Sequence, residues 1–152
     1  MISAKFVQLI EQNCDRIVEL VIKRLRRGSQ AARFQAVMES ELREWGHDLL
    51  GRLGHWLSPG AVEELELRYT GLGARLFQED IPLTDSLRGL FLMRERILDY
   101  LEEQVASKST MDLYAEEELD RRLARFFDRL AVYVTRGYEQ ALRKGRGRSA
   151  TA

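Results

Sequence analysis

Two histidines, one cysteine and a scatter of carboxylates are the side chains of this 152-residue chain that could do chemistry. His47 closes the sequence Glu44-Trp45-Gly46-His47, an E-x-x-H. On a helix that spacing aims a carboxylate and an imidazole the same way, and two such pairs with further glutamates hold the metals of di-iron bundles. The second pair is missing, because Arg52 stands three residues before His55. His47 and His55 are eight residues apart, which does not give the i, i+4 chelation of a helical metal site. No metal site is expected, and the two histidines read as partly exposed helical residues near tryptophans. An all-α domain can also hold haem through one axial histidine. A haem- or small-ligand-binding helical sensor therefore stands as the alternative reading.

Cys14 becomes a nucleophile only where a cation or a helix start lowers its pKa. It falls on an apolar helical face, so core packing is its expected role. With one cysteine no disulfide can form within the chain, which suits a reducing, cytoplasmic setting. No G-x-S-x-G elbow occurs, and the serines cluster at helix ends, where capping accounts for them. No glycine-rich phosphate loop precedes a lysine. The carboxylates lie on polar faces beside basic residues, as Glu95 and Asp99 do around Arg94 and Arg96. No catalytic constellation emerges, no cofactor is implied, and the chain reads as a non-enzyme.

The elements that position these residues are helices. Hydrophobic residues make up 45% of the chain and charged residues 32%, a globular balance, and only Pro59 and Pro82 interrupt it. Arg, Leu and Glu dominate, all good helix formers. The first helix spans about Ser3 to Arg27, with Phe6, Leu9, Ile10, Cys14, Ile17, Val18, Val21 and Leu25 on one face and Ser3 as its cap. The second spans about Ala32 to Leu57, with the stripe Phe34, Met38, Leu42, Trp45, Leu49, Leu53 and Trp56. Gly46, Gly51 and Gly54 interrupt it, most simply to let helices approach closely. Ser58-Pro59-Gly60 is a boundary, with Ser58 as cap and Pro59 at the first helical position. The third helix carries Val62, Leu65, Tyr69, Leu72 and Leu76, has Gly71 and Gly73 where tight packing is again expected, and ends near Gln78. Thr84 caps the fourth, whose stripe is Leu87, Leu90, Phe91, Ile97, Leu98, Leu101 and Val105. After a break at Ser107 to Thr110, the fifth runs to about Lys144 through Leu119, Leu123, Phe126, Phe127, Leu130, Val134, Tyr138 and Leu142.

The fold class is therefore all-α, a single-domain bundle of about five main helices over residues 1–144, with 145–152 as a flexible basic tail. Some 30 residues at 1.5 Å each make the fifth helix about 45 Å long. A domain of this size has a radius of gyration of only about 15 Å. Such a helix reaches the edge of the bundle, a natural place for dimer contacts. Phe127, Leu130 and Val134 are its expected dimer or partner seam.

Formal net charge is zero, so no global pull on nucleic acid is expected. The basic runs Lys23 to Arg27 and Arg143 to Arg148 read as solvated helix ends and tail. The apolar runs are short and broken by charge, so neither a signal peptide nor membrane insertion is expected.

The run Leu72-Gly73-Ala74-Arg75-Leu76-Phe77-Gln78-Glu79-Asp80-Ile81-Pro82-Leu83-Thr84-Asp85-Ser86-Leu87-Arg88-Gly89-Leu90 resembles the helix–IPL–helix segment of the N-terminal domains of RsbT co-antagonist proteins of the RsbRD type. Arg125-Phe126-Phe127-Asp128 through Arg136-Gly137-Tyr138-Glu139 is similar to that family's last helix. The resemblance covers about Phe6 to Leu142. It implies a globin-like, non-haem helical fold and a regulatory sensor that forms a homodimer in stress-response signal transduction. Its implied partner is an output region, a STAS domain of the stressosome or a histidine kinase. It supplies no catalytic residues.

Overall fold

Asn13 decides the first departure from the sequence pattern. Its side-chain amide donates to the Leu9 carbonyl (2.8 Å), one turn back, and its own N–H turns to Ile10 (3.1 Å). A side chain competing for a helix carbonyl loosens the ladder. The expected first helix is accordingly two, α1 (Ala4–Gln12) and α2 (Cys14–Gly28). The computed structural model describes residues 4–28, 32–104 and 109–151, with the side chains of 28, 32–34 and 146–151 excepted. Ser3, Val105 and Ser107, and the side chains of Phe34, Arg146 and Arg148, lie outside the described residues.

The second helix also divides, into α3 (Ala32–Gly51) and the single turn α4 (Leu53–Trp56), with Arg52 off the helical path at φ −128°. Of its glycines, only Gly46 marks a tight approach, since a Cβ there would stand 3.1 Å from both Val18 and Met93. A 3-10 turn at Pro59–Ala61 leads into α5 (Val62–Gln78). Pro59 occupies its first position as expected, but Ser58 does not cap through its side chain, and its hydroxyl donates instead to the His55 carbonyl (2.6 Å).

Next comes α6 (Leu83–Gln104), which begins at Leu83 and so places Thr84 inside the first turn rather than at the cap. Its buried face is Ser86, Gly89, Leu90, Met93, Ile97, Tyr100 and Leu101. Phe91 sits about 100° around the helix from Leu90 and is 52% exposed, against the expected stripe. The last helix, α7, spans Thr110–Thr151, past the end expected near Lys144. It starts on a reciprocal cap that the pattern did not disclose. The Asp112 N–H donates to the Ser109 hydroxyl (3.1 Å), and the Ser109 N–H donates to the Asp112 carboxylate (3.3 Å). Lys5 pairs with the same carboxylate, tying α1 to α7 and holding the Asp112 carboxyl below its ordinary range.

No strand occurs among the described residues, and one core runs through the bundle. Trp56, Tyr69 and Phe127 are its largest fully buried side chains. The Trp56 indole N–H donates to the Asp48 carbonyl (3.1 Å), and the guanidiniums of Arg52 and Arg68 lie 5.0 and 5.1 Å from its ring centroid. Two clasps join helices across this core. Arg26 on α2 grips Glu39 on α3 through two bonds (2.7 and 3.0 Å), and Arg75 on α5 grips Glu41 on α3 (2.7 Å).

Candidate regulatory face on helices α5 and α7

Helices α5 and α7 meet at backbone contact, and glycine makes the contact possible. A Cβ on Gly73 would stand 2.1 Å from the Val134 carbonyl oxygen, and one on Gly137 would stand 1.9 Å from the Thr70 carbonyl oxygen. Each lies well inside van der Waals contact, so the two backbones touch only because both residues lack a side chain. Of the tight approaches expected at Gly71 and Gly73, only that at Gly73 occurs, since a Cβ on Gly71 would meet nothing within 4 Å. Nothing in the pattern singled out Gly137, because a glycine on a long amphipathic helix shows its reason only against its neighbour.

The same helix pair holds the turn after α5. The Asp80 N–H bonds to the Phe77 carbonyl (3.1 Å) and the Ile81 N–H to the Leu76 carbonyl (3.0 Å). Asp80 takes the left-handed conformation (φ 60°). This is the Schellman closure of a helix, with buried Ile81 packing toward buried Leu76. Tyr138 on α7 then donates its hydroxyl to the Ile81 carbonyl (2.8 Å), while its ring meets Phe77 edge-on at 5.4 Å. The two segments that carry the family resemblance are thus physically joined: the IPL turn hangs from the tyrosine of the last helix.

A strained carboxylate lies beside this turn. Arg75 is committed to Glu41, and one oxygen of Glu79 is buried without a hydrogen-bond partner. Burial, then the charge of nearby Glu41, pushes the Glu79 carboxyl above its ordinary range. Its folded-state pKa therefore exceeds the unfolded one, so ionising it opposes folding. That penalty sets in as pH climbs from the ordinary glutamate range through the raised value. Glu79→Gln is expected to raise the melting temperature at pH 7, with the gap over the parent closing near pH 4. Thermal unfolding at the two pH values measures this.

The expected seam residues do not lie on a surface. Phe127 (1% exposed), Leu130 (0%) and Val134 (1%) are packed into the chain's own core. The reason is helical register: the stripe that includes Leu119, Leu123 and Phe126 faces inward, and one amphipathic face cannot serve both core and partner. The outward side of the pair presents other residues. Leu67 on α5 is 78% exposed, and Val132 on α7 is 53% exposed. Leu67 borders an open groove of about 410 Å³ floored by the small residues Gly71, Ala74, Gly137, Ala141 and Gly145. Val132 lies in a second groove, of about 430 Å³, with Thr135 and Arg136. Gln140 lines both grooves, so they adjoin along α7.

The histidines face solvent-side carboxylates. His47 Nδ1 is 2.6 Å from Asp15, and His55 Nε2 is 3.3 Å from Glu64. Both rings are partly exposed, 38% for His47 and 42% for His55, as expected of helical histidines near tryptophans. Among the described residues, no helix is long and apolar enough to cross a membrane.

Among the described residues, helices alone and one shared core define an all-α single domain. The chain belongs to the family of the RsbT co-antagonist protein rsbRD N-terminal domain, whose model matches residues 15–152. That is a family of stress-response regulatory domains. Neither the curated proteins nor the solved structures yield a match.

Proposed function

We propose that this chain is a signal-input domain that forms a homodimer through the outward face of α5 and α7. A shift in the packing of these two helices carries the signal along α7 to a cytoplasmic signalling partner or output region of the STAS or histidine-kinase type. The observation that carries this reading is the pairing of an exposed leucine with an adjoining groove floored by small residues. Leu67 stands 78% exposed beside Gly71, Ala74 and Ala141. A two-fold pair makes such a surface self-complementary, because the knob of each copy can enter the groove of the other. The glycine crossing supports the transmission step. With backbones in contact, α5 cannot move without moving α7.

Family membership supports the regulatory role. Sedimentation equilibrium of the full chain tests the dimer. At high micromolar concentration the mass should be twice 17.6 kDa; a single-chain mass contradicts the proposal.

A further inference from the structure

Cys14, Asp15 and His47 meet at the rim of the bundle, with Cys14 half-buried against the core as expected and Asp15 exposed, although 33 residues separate Cys14 from His47 in sequence. The Asn13 break starts α2 at Cys14, so Cys14 and Asp15 occupy its first turn, and α3 brings His47 alongside. The Cys14 sulfur lies 3.5 Å from Asp15 Oδ1, His47 Nδ1 lies 2.6 Å from the same oxygen, and all three donor atoms fall within 4.8 Å of one another. The geometry points to a zinc-binding site formed by Cys14, Asp15 and His47.

The donor set selects the metal. A thiolate, an imidazole and one carboxylate suit a borderline-soft cation such as zinc, whereas magnesium and calcium take oxygen ligands. The spacing suits it too. Bonds of about 2.0 to 2.3 Å in a tetrahedral site set ligand atoms about 3.3 to 3.8 Å apart. The sulfur–oxygen distance already lies in that range. The nitrogen–oxygen distance must open by less than about 1 Å, replacing the direct contact by two bonds to the ion. The side chains are free to make that adjustment, since Asp15 is 82% exposed and His47 38%. Three protein ligands leave the fourth tetrahedral position to water, the pattern of an open rather than a closed zinc site.

Binding replaces the thiol proton, now shared with Asp15, by the metal and releases that proton to solvent, with no change of oxidation state. The ion would join the start of α2 to the middle of α3. The site is independent of the dimer face on α5 and α7, so its failure leaves the regulatory proposal untouched, and the reverse holds.

Cobalt(II) titrated into the reduced, metal-free full chain is the probe, because a cobalt–thiolate bond has its own charge-transfer absorption. One equivalent should produce that band, and zinc should bleach it. Cys14→Ser should abolish it. His47→Gln should weaken binding by more than the roughly 10- to 100-fold that loss of an outer-sphere partner costs. His55→Gln, whose ring pairs with Glu64, should bind as the parent does. Circular dichroism of each variant confirms that it is folded. No band at saturating cobalt overturns the inference. So does undiminished affinity in folded His47→Gln, which would mean that the lone thiol binds by itself.

Discussion

Replacing Gly137 by alanine is expected to destabilise the fold by about 3 kcal/mol or more, the upper end of the usual range for overpacking. The added carbon would arrive 1.9 Å from the Thr70 carbonyl oxygen. That neighbour is backbone rather than the flexible end of a side chain, so relief requires α5 and α7 to move apart. Separation would also stretch the Tyr138 bond to Ile81 and loosen the turn at Pro82. Gly73→Ala should act in the same direction, its carbon meeting Val134 oxygen at 2.1 Å. Gly71→Ala on the same α5 is the control. A carbon there meets nothing within 4 Å, and helix propensity alone should add stability of up to about 1 kcal/mol. Urea unfolding measures all three. Equal stability of Gly137→Ala and the parent would mean that the two helices do not cross at backbone contact.

The second large effect is expected at Phe127. Its ring is 1% exposed and stands edge-on to Phe126 at 5.5 Å. Truncation to alanine removes a buried aromatic and leaves a cavity, with a cost of about 3–5 kcal/mol. This experiment separates two roles for one residue. A seam residue, once truncated, would leave the isolated fold as stable as before and weaken only self-association. A core residue lowers the unfolding midpoint at every protein concentration. The burial of Phe127 and its neighbours predicts the second result, and denaturant melts at two well-separated concentrations distinguish them. A midpoint that matches the parent at low concentration would return Phe127 to the surface.

The contrast between these two sites shows what the sequence could and could not disclose. Periodicity located every long helix, because burying an apolar stripe is what a helix in a bundle must do. It also found most of the core residues on those stripes, but it missed Val7, Ile22, Leu50, Ala61, Ile81, Met93, Tyr100 and Ala115, and it placed exposed Phe91 among them. What it could not disclose was the side of each stripe that remained for a partner. Phe127, Leu130 and Val134 satisfy the same spacing whether they pack inward or outward. The breaks at Asn13 and Arg52 were hidden for another reason. The first is a local competition for one backbone carbonyl and the second a single non-helical residue, and a face pattern that continues across the break registers neither. Gly137 and the trio of Cys14, Asp15 and His47 depend on tertiary neighbours distant in sequence. Residue type announced Cys14 and His47 but neither Asp15 nor Gly137, and only the packing of α5 on α7, and of α2 on α3, brought the members together.

The IPL turn lies between these extremes. Pro82 marked a boundary, and its surroundings carried the resemblance to the family. The physical reason for that segment, a left-handed Asp80 closing α5 and a tyrosine 57 residues away holding the Ile81 carbonyl, became visible only in three dimensions. The domain is thereby a pair of welded helices with a tethered turn at one end.

The central claim, that copies of this domain meet on the outward face of α5 and α7, is tested most directly by placing charge there. Leu67→Glu combined with Val132→Glu alters two exposed side chains and no core contact, so helical content and thermal stability at low concentration should match the parent. Sedimentation equilibrium of the full-length double variant at high micromolar concentration should give a single-chain mass of 17.6 kDa where the parent gives twice that. A double variant that remains as dimeric as the parent would contradict the account.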